Sequence, residues 1–344
     1  MRHGTMSEVI DRIARIDAPG MRSLCWVSDT LVDWVGGGRI LHLDGQLEKP
    51  RVIYAFRFDS SVASPCGDYA VIYEKLGTKG LVLRGGEVVR EINRSFYHAG
   101  SYEYPIAIFQ AASGQVILAH CPDEYCRLEL EDIVTGERMG GRGSRKPPDF
   151  FHSRLRVSPN GRWLLSAGWV WHPFGMVKVF DLDAALRTSE ALDQAVRIPE
   201  FNGEVAAAEF LRNDHMLIAT SEETLDDDAS EEAIGASSVA IVDLAKRQVI
   251  LRSPTSEPMG SLMPVDDEVA VSFFEHPKLI SLRTGAVLKR WKSVKSGNQV
   301  SSILLKGASA PPIAIDVPHR RFAVADASSV AVVDLPRAAA ELRR

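Results

Sequence analysis

Residues Ser158–Leu182 read SPNGRWLLSAGWVWHPFGMVKVFDL. The stretch opens on a Ser-Pro-Asn-Gly turn, runs into an apolar segment, and closes on a second apolar segment ending in Asp181-Leu182. Gly and Asn supply the backbone conformations a tight turn needs, and short apolar runs bounded by them signal strands. Between the two runs lies GWVWHPFG, Gly168–Gly175, richer in aromatic residues than a plain hairpin requires.

The same unit of turn and strand recurs along the chain. Its turn glycine is Gly67 in ASPCGDYAVIY, Gly114 in QAASGQVILAH and Gly161 in VSPNGRWLLSA, at intervals of 47 residues. The series continues near Asp214, Asp267 and Arg320 at intervals of 53, and WVSDTLVDWV around Asp29 is an earlier member. A second strand follows each: RILHLDG, GLVLRGGE, CRLELEDIVTGE, MVKVFDL, SVAIVDL, KLISLRTGAV and SVAVVDL. Alternation is clean in SVAIVDL, where Val239 and Ile241 face one way and Ala240, Val242 and Leu244 the other. Some units add a strand before the turn (SRLRV, EVAAAEF, PIAID) and some add one after the second strand (EVVREI, QVILRS, AVLKRW). The repeat is therefore four strands, a to d.

Seven such units, each of roughly 45–50 residues, have the spacing of β-propeller blades. A four-stranded sheet cannot bury both faces alone, so neighbouring blades must stack around a closed ring. The expected fold is all-β: a seven-bladed β-propeller of four-stranded antiparallel blades over residues 21–335. The last unit lacks a strand d, because DLPRAAAELRR reads as a polar, helix-prone tail (336–344). The N-terminal segment 1–20 is expected to supply the missing outer strand and clasp the ring. A helix competes with that reading, since Val9, Ile13 and Ile16 also fit one helical face.

SPNGRWLLSA…VKVFDL and SPCGDYAVIY resemble the blades of WD-repeat-like and YVTN-type β-propellers, where a Ser-Pro-Asp-Gly turn precedes strand b. The likeness spreads over nearly the whole chain and is specific in blades 2 and 4. The Gly-His and Trp-Asp dipeptides of true WD repeats are missing, and FDL and VDL stand nearest to them. The resemblance implies a divergent, bacterial member of that group, an interaction-prone architecture and no particular activity.

Composition narrows the function classes. The 344 residues are 45% hydrophobic and carry a net charge of −5, which argues against a nucleic-acid partner, because a phosphate backbone needs a concentrated basic face. No apolar run approaches the roughly 18–20 residues that span a bilayer. MRHGTMSEVIDR has no apolar h-region, so no secretory signal is expected, and Met6 is a candidate internal start. Four cysteines in so long a chain make no disulfide framework, which points to a reducing cytoplasm.

In a propeller the d–a and b–c loops emerge on one face, the top. The long and chemically unusual segments all fall in these two classes, on blades 3 to 5: NRSFYHAGSYEYP, HCPDEYC, GGRGSRKPPDFFHS, GWVWHPFG and SEETLDDDASEEAIGASS. Loops on a rigid scaffold are where function concentrates. The candidate partner-binding residues are Arg94, Tyr97, His98, Tyr102, Tyr104, Arg145, Trp169, Trp171 and His172, with Phe96 beside them. Tyr, Trp and Arg dominate interface hot spots, but the same rings also serve to pack one blade on the next. Both readings stand for this set.

His120, Cys121, Asp123 and Cys126 are metal-ligand types, yet a second spaced pair is missing, so no metal is expected. The acidic stretch 222–232 lacks the spacing and glycine of an EF-hand loop and reads as a solvated loop. Arg142, Arg145 and Lys146 before Pro-Pro read as an exposed cationic linker. No G-x-S-x-G, H-E-x-x-H, P-loop or G-x-G-x-x-G is present. The leading expectation is a non-enzymatic scaffold for a protein or peptide partner, without cofactor. The alternatives are a lactonase-like propeller enzyme using His98, His172 and Glu103, or a small-ligand sensor, either one acting at the central channel mouth.

Overall fold

The computed structural model describes residues 13–141, 144–226, 229–304 and 310–335. They form seven antiparallel sheets, six of consecutive strands and one that joins the first strand to the last three, arranged as a seven-bladed propeller. Blade 5 shows the full pattern: Gly203–Arg212, His215–Thr224, Ser238–Asp243 and Gln248–Pro254 pair in that order from the axis outward. Its two faces bury different cores. Ala240, Val242 and Leu244 join Leu165 and Val179 of blade 4, whereas Val239 and Ile241 join Ala270 and Ile280 of blade 6. The period-two alternation of SVAIVDL is thus what makes the blades stack, each fully buried Val or Ile contributing roughly 1.5–3 kcal/mol.

Blades 2, 6 and 7 also have four strands, while in blades 1, 3 and 4 the outermost segment pairs only locally. Leu47 bridges Leu41 in blade 1, and Arg138 bridges Glu131 in blade 3. In blade 4 an α-helix, Leu182–Arg187, and a 3-10 turn, Ser189–Asp193, intervene before the Val196 amide donates to Val179 O at 2.7 Å. The repeat pattern does not anticipate this helix. Asp181 caps it by accepting from the Ala184 amide at 2.9 Å, and Asp183 and Arg187 complement its dipole.

The ring closes as expected. Ile13–Asp17 pairs antiparallel with Ser329–Asp334, Ile16 opposite Val330, as the outer strand of blade 7. Ile16 is buried with Leu24 and Leu31 of blade 1 and Val332 of blade 7. The helical reading therefore fails for Ile13 and Ile16, while Val9, like the expected tail 336–344, lies outside the described residues.

One connection was not legible beforehand. After blade 6 the chain doubles back across the top: the Ser296 amide donates to Glu275 O (2.9 Å) at that blade's b–c turn, and the Leu304 amide donates to Ser101 O (2.8 Å) beside blade 3. Ile303 bridges Tyr102. Blades 6 and 3 lie on opposite sides of the ring, so this strap spans the channel mouth before the chain returns to blade 7 at Ile313–Asp316.

Candidate functional site

The two long strands of blade 4, Trp163–Val170 and Phe174–Asp181, pair down to Val170 opposite Phe174. GWVWHPFG is therefore strand on both sides, with a three-residue tip, Trp171–Pro173, that turns on a left-handed His172 (φ 75°). Trp169 points inward and is only 3% exposed. Its ring stacks on Phe151 with centroids 3.8 Å apart and planes 10° from parallel, and the two backbones exchange hydrogen bonds of 2.9 and 3.1 Å. Gly168 permits this approach, since a Cβ there would lie 1.9 Å from Phe151 O.

Around that pair the rings of blades 3 and 4 converge. Tyr102 meets Phe151 and Trp169 edge-on (5.6 and 6.0 Å), and Ile303 of the strap packs against the same group. Tyr125 stacks on Phe151 at 4.2 Å, and Tyr97 lies 5.0 Å from Tyr125. His98 sets its edge against Trp171 at 5.0 Å, and Trp171 sets its own against Phe151 at 5.3 Å. Edge and offset arrangements of this kind contribute about 0.5–1.5 kcal/mol per pair beyond burial. The outer rim reaches solvent: Phe96 is 86% exposed, Tyr97 46% and Trp171 42%, with His98 and His172 exposed beside them.

Five candidate contact residues are corrected to packing roles. Arg94 is buried; it donates to Gly77 O (2.7 Å), Ala99 O (2.8 Å) and Tyr102 O (3.0 Å), and stands over the rings of Tyr102 and Tyr104. It ties the loop together from inside, because its fork of donors satisfies carbonyls that a curled loop leaves unpaired. Tyr102, Tyr104 and Trp169 are buried as well. The Arg145 side chain is 0% exposed and pairs with Asp193 at 2.6 Å and with Glu129 at 3.6 Å. The expected linker is thus pinned at Arg145, while Arg142 lies outside the described residues.

The thiols of Cys121 and Cys126 are free and buried, and burial pushes both upward in pKa. His152, from the loop before blade 4, is enclosed between Ser166 Oγ (3.1 Å) and Cys126 O (3.2 Å), and burial holds its pKa down to about 3. Among the described residues no group of three or more His, Cys, Asp or Glu is placed to hold a metal ion. Strand b of blade 5 runs on to Thr224, so Glu222 and Glu223 of the acidic stretch are strand residues, and Asp227 and Asp228 lie outside the described residues.

A second feature is the axial channel, a cavity of about 740 Å³. Lys75, Glu103, Arg154 and Arg156 line one side, and Leu24, Trp26, Ile313 and Ile315 the other. The Tyr73 hydroxyl donates to Glu103 Oε1 at 3.0 Å. Burial opposes ionisation of Glu103, but Lys75, Arg156 and Arg154 together outweigh it and hold the carboxyl below its usual range. Of the three acid–base candidates, Glu103 lines the channel, whereas His98 packs on Trp171 and His172 forms the hairpin tip. Sequence reasoning missed Lys75, Arg154 and Arg156; the one local signal was SRLRV, an innermost strand with a cation on either side of its buried leucine.

Sheet order, ring closure and alternating cores define a seven-bladed β-propeller. Solved structures agree. The β-propeller domain of Cps50 (Swd1) from Myceliophteria thermophila is similar at TM-score 0.58 and 10% identity, over 95% of this chain and 100% of that one. Kuenenia stuttgartiensis hydrazine synthase reaches TM-score 0.58 at 13% identity, over 97% and 99%. BamB from Moraxella catarrhalis reaches 0.53 at 12%, over 96% and 99%. No protein-family model matches the chain, and no curated protein matches it by sequence. At such identities the likeness concerns the fold alone.

Proposed function

We propose that this propeller is a non-enzymatic scaffold of the bacterial cytoplasm, a divergent relative of the WD-repeat-like and YVTN-type propellers, that offers the top face of blades 3 to 5 to a protein or peptide partner. The observation that carries the reading is the exposure of Phe96, Tyr97 and Trp171 above a buried stack of Phe151, Trp169 and Tyr102. Large rings held on a rigid base lose little conformational freedom on binding, which is what a hot spot requires. The free cysteines fit a reducing compartment. A lactonase-like enzyme has weaker support, since only one of its three acid–base candidates lines the channel.

Affinity capture from the native host with the wild-type chain, Phe96→Ala and Trp171→Ala tests the reading. Each variant should lose about tenfold or more in partner capture while its Tm stays within a degree or two of wild type. Unfolding of both variants would assign the rings to packing, and undiminished capture would move the interface elsewhere.

A further inference from the structure

We propose that the axial channel binds a small organic anion, a carboxylate or phosphate ester that also carries a hydrogen-bond donor, through Lys75, Arg154 and Arg156 with Glu103 receiving the donor. The site is independent of the top-face aromatic surface.

The charged side chains lining the cavity are Arg22, Lys75, Arg154 and Arg156 against Asp59 and Glu103, a positive surplus inside a chain whose net charge is −5. Glu209 pairs with Arg156 at 2.8 Å and takes up part of that surplus, but not all of it. A purely structural network would set its cations directly on Glu103. Here, among the described residues, no ion pair within 4 Å joins Glu103 to any of the three, and its one direct side-chain partner is Tyr73. Among the described residues the Lys75 side chain makes no hydrogen bond or ion pair, although its position on the channel wall is fixed by the Asp59 carboxylate accepting from its backbone amide at 2.7 Å.

Arg154 is preorganised. It adopts a left-handed backbone (φ 43°), which for a non-glycine costs of order 1 kcal/mol and is kept where the surroundings enforce it. Its Nη1 donates to Ala206 O (2.8 Å) and its Nε to Ala167 O (3.3 Å), while the buried Nη2 has no hydrogen-bond partner among the described residues. Leu155 between the two arginines is buried in the inter-blade core, so Arg154 and Arg156 both turn to the channel. Guanidinium groups suit carboxylate and phosphate because their parallel N–H donors match two oxygens at once. Like charges on a low-dielectric wall also concentrate an anion at the mouth. The volume, about 740 Å³, falls within the usual range for small-molecule sites. Glu103, kept ionised and already accepting from Tyr73, has lone pairs left for a ligand hydroxyl or amine. The opposite wall of Leu24, Trp26, Ile313 and Ile315 suits an apolar ligand body.

The test is calorimetric titration of the full chain with glycolate, glycerol 3-phosphate and, as neutral control, glycerol, at constant ionic strength. Saturable binding of at least one anion and none of glycerol is expected. Lys75→Met should weaken binding about tenfold with the Tm within a degree or two of wild type, and Arg156→Gln should weaken binding similarly with a small loss of Tm from the broken Glu209 pair. Trp171→Ala should leave binding intact, which separates this site from the top-face surface. Failure of both anions to saturate by ~10 mM, or binding indifferent to Lys75→Met, overturns the proposal.

Discussion

Phe151 and Trp169 lie face to face, ring centroids 3.8 Å apart, and their backbones close an antiparallel bridge between the loop before blade 4 and that blade's second strand. The contact couples the loop rich in aromatics to the hairpin, so the two tryptophans of GWVWHPFG have opposite roles. Trp169→Ala should cost about 3–5 kcal/mol, the usual loss for a large aromatic removed from a packed core. Trp171→Ala, at the exposed tip, should cost about 1 kcal/mol or less. Urea denaturation of the two variants checks the contrast, and equal costs would place both rings in the core.

What the sequence made legible, and what it hid, follows from the range of the interactions. Turn glycines such as Gly67, Gly114 and Gly161 and the alternation of SVAIVDL are local, and they carried strand assignment, blade count and the two-sided core. The Leu182–Arg187 helix escaped because the blade pattern reads through it, although Asp181 followed two residues later by Asp183 is a local cap signal. Arg94 and Arg145 read as exposed because a basic residue in a polar loop shows nothing of the carbonyls or the acid that await it. Asp193, the partner of Arg145, is 48 residues away. The channel set was hidden more deeply still. Lys75 lies in the b–c turn of blade 2, Glu103 in the loop before blade 3 and Arg154 at the start of blade 4, and only the curvature of the ring brings them to one cavity.

Arg145 carries a stability prediction of its own. Its guanidinium is wholly enclosed, pairs with Asp193 and donates to Leu128 O at 3.1 Å. Removing one partner of a buried pair leaves the other charge desolvated and uncompensated, at about 3–5 kcal/mol. Arg145→Ala should therefore unfold at markedly lower denaturant, whereas Lys146→Ala next to it should stay within about 0.5 kcal/mol of wild type. An Arg145→Ala chain as stable as the parent would return this residue to the surface linker the sequence suggested.

His152 makes acid stability a readout of the blade 3–blade 4 junction. Burial, and then the nearby Lys178 cation, hold its folded pKa at about 3, against 6.5 for the free side chain. Between those values the unfolded chain binds the extra proton and the folded chain does not. Stability is thus fully present above pH 6.5 and falls as the pH drops toward 3, by up to about 1.4 kcal/mol per pH unit. His152→Gln should lower stability at pH 7, because Ser166 and Cys126 O lose a fitted partner, yet flatten the decline between pH 6.5 and 5. Denaturation midpoints at pH 7 and 5 decide it; parallel declines would mean that His152 titrates normally.

The clasp gives the last prediction. Ser329–Asp334 is the third strand of blade 7, and its outer edge is covered by Ile13–Asp17. Without that cover, a strand reading SVAVVD presents a row of unpaired amides and carbonyls, the template on which chains pair with one another. Removing residues 1–17 also takes Ile16 from the cluster it shares with Leu24 and Val332, so blades 7 and 1 lose part of their common core. The truncated chain should melt at lower temperature and associate in a concentration-dependent way, seen by light scattering. Ile16→Asp should produce both effects with the chain at full length, because it buries an unpaired carboxylate where the two blades meet. Asp17→Ala, on an exposed residue of the same strand, should produce neither. A truncated chain that stays monomeric with an unchanged Tm would show that the ring holds without its clasp.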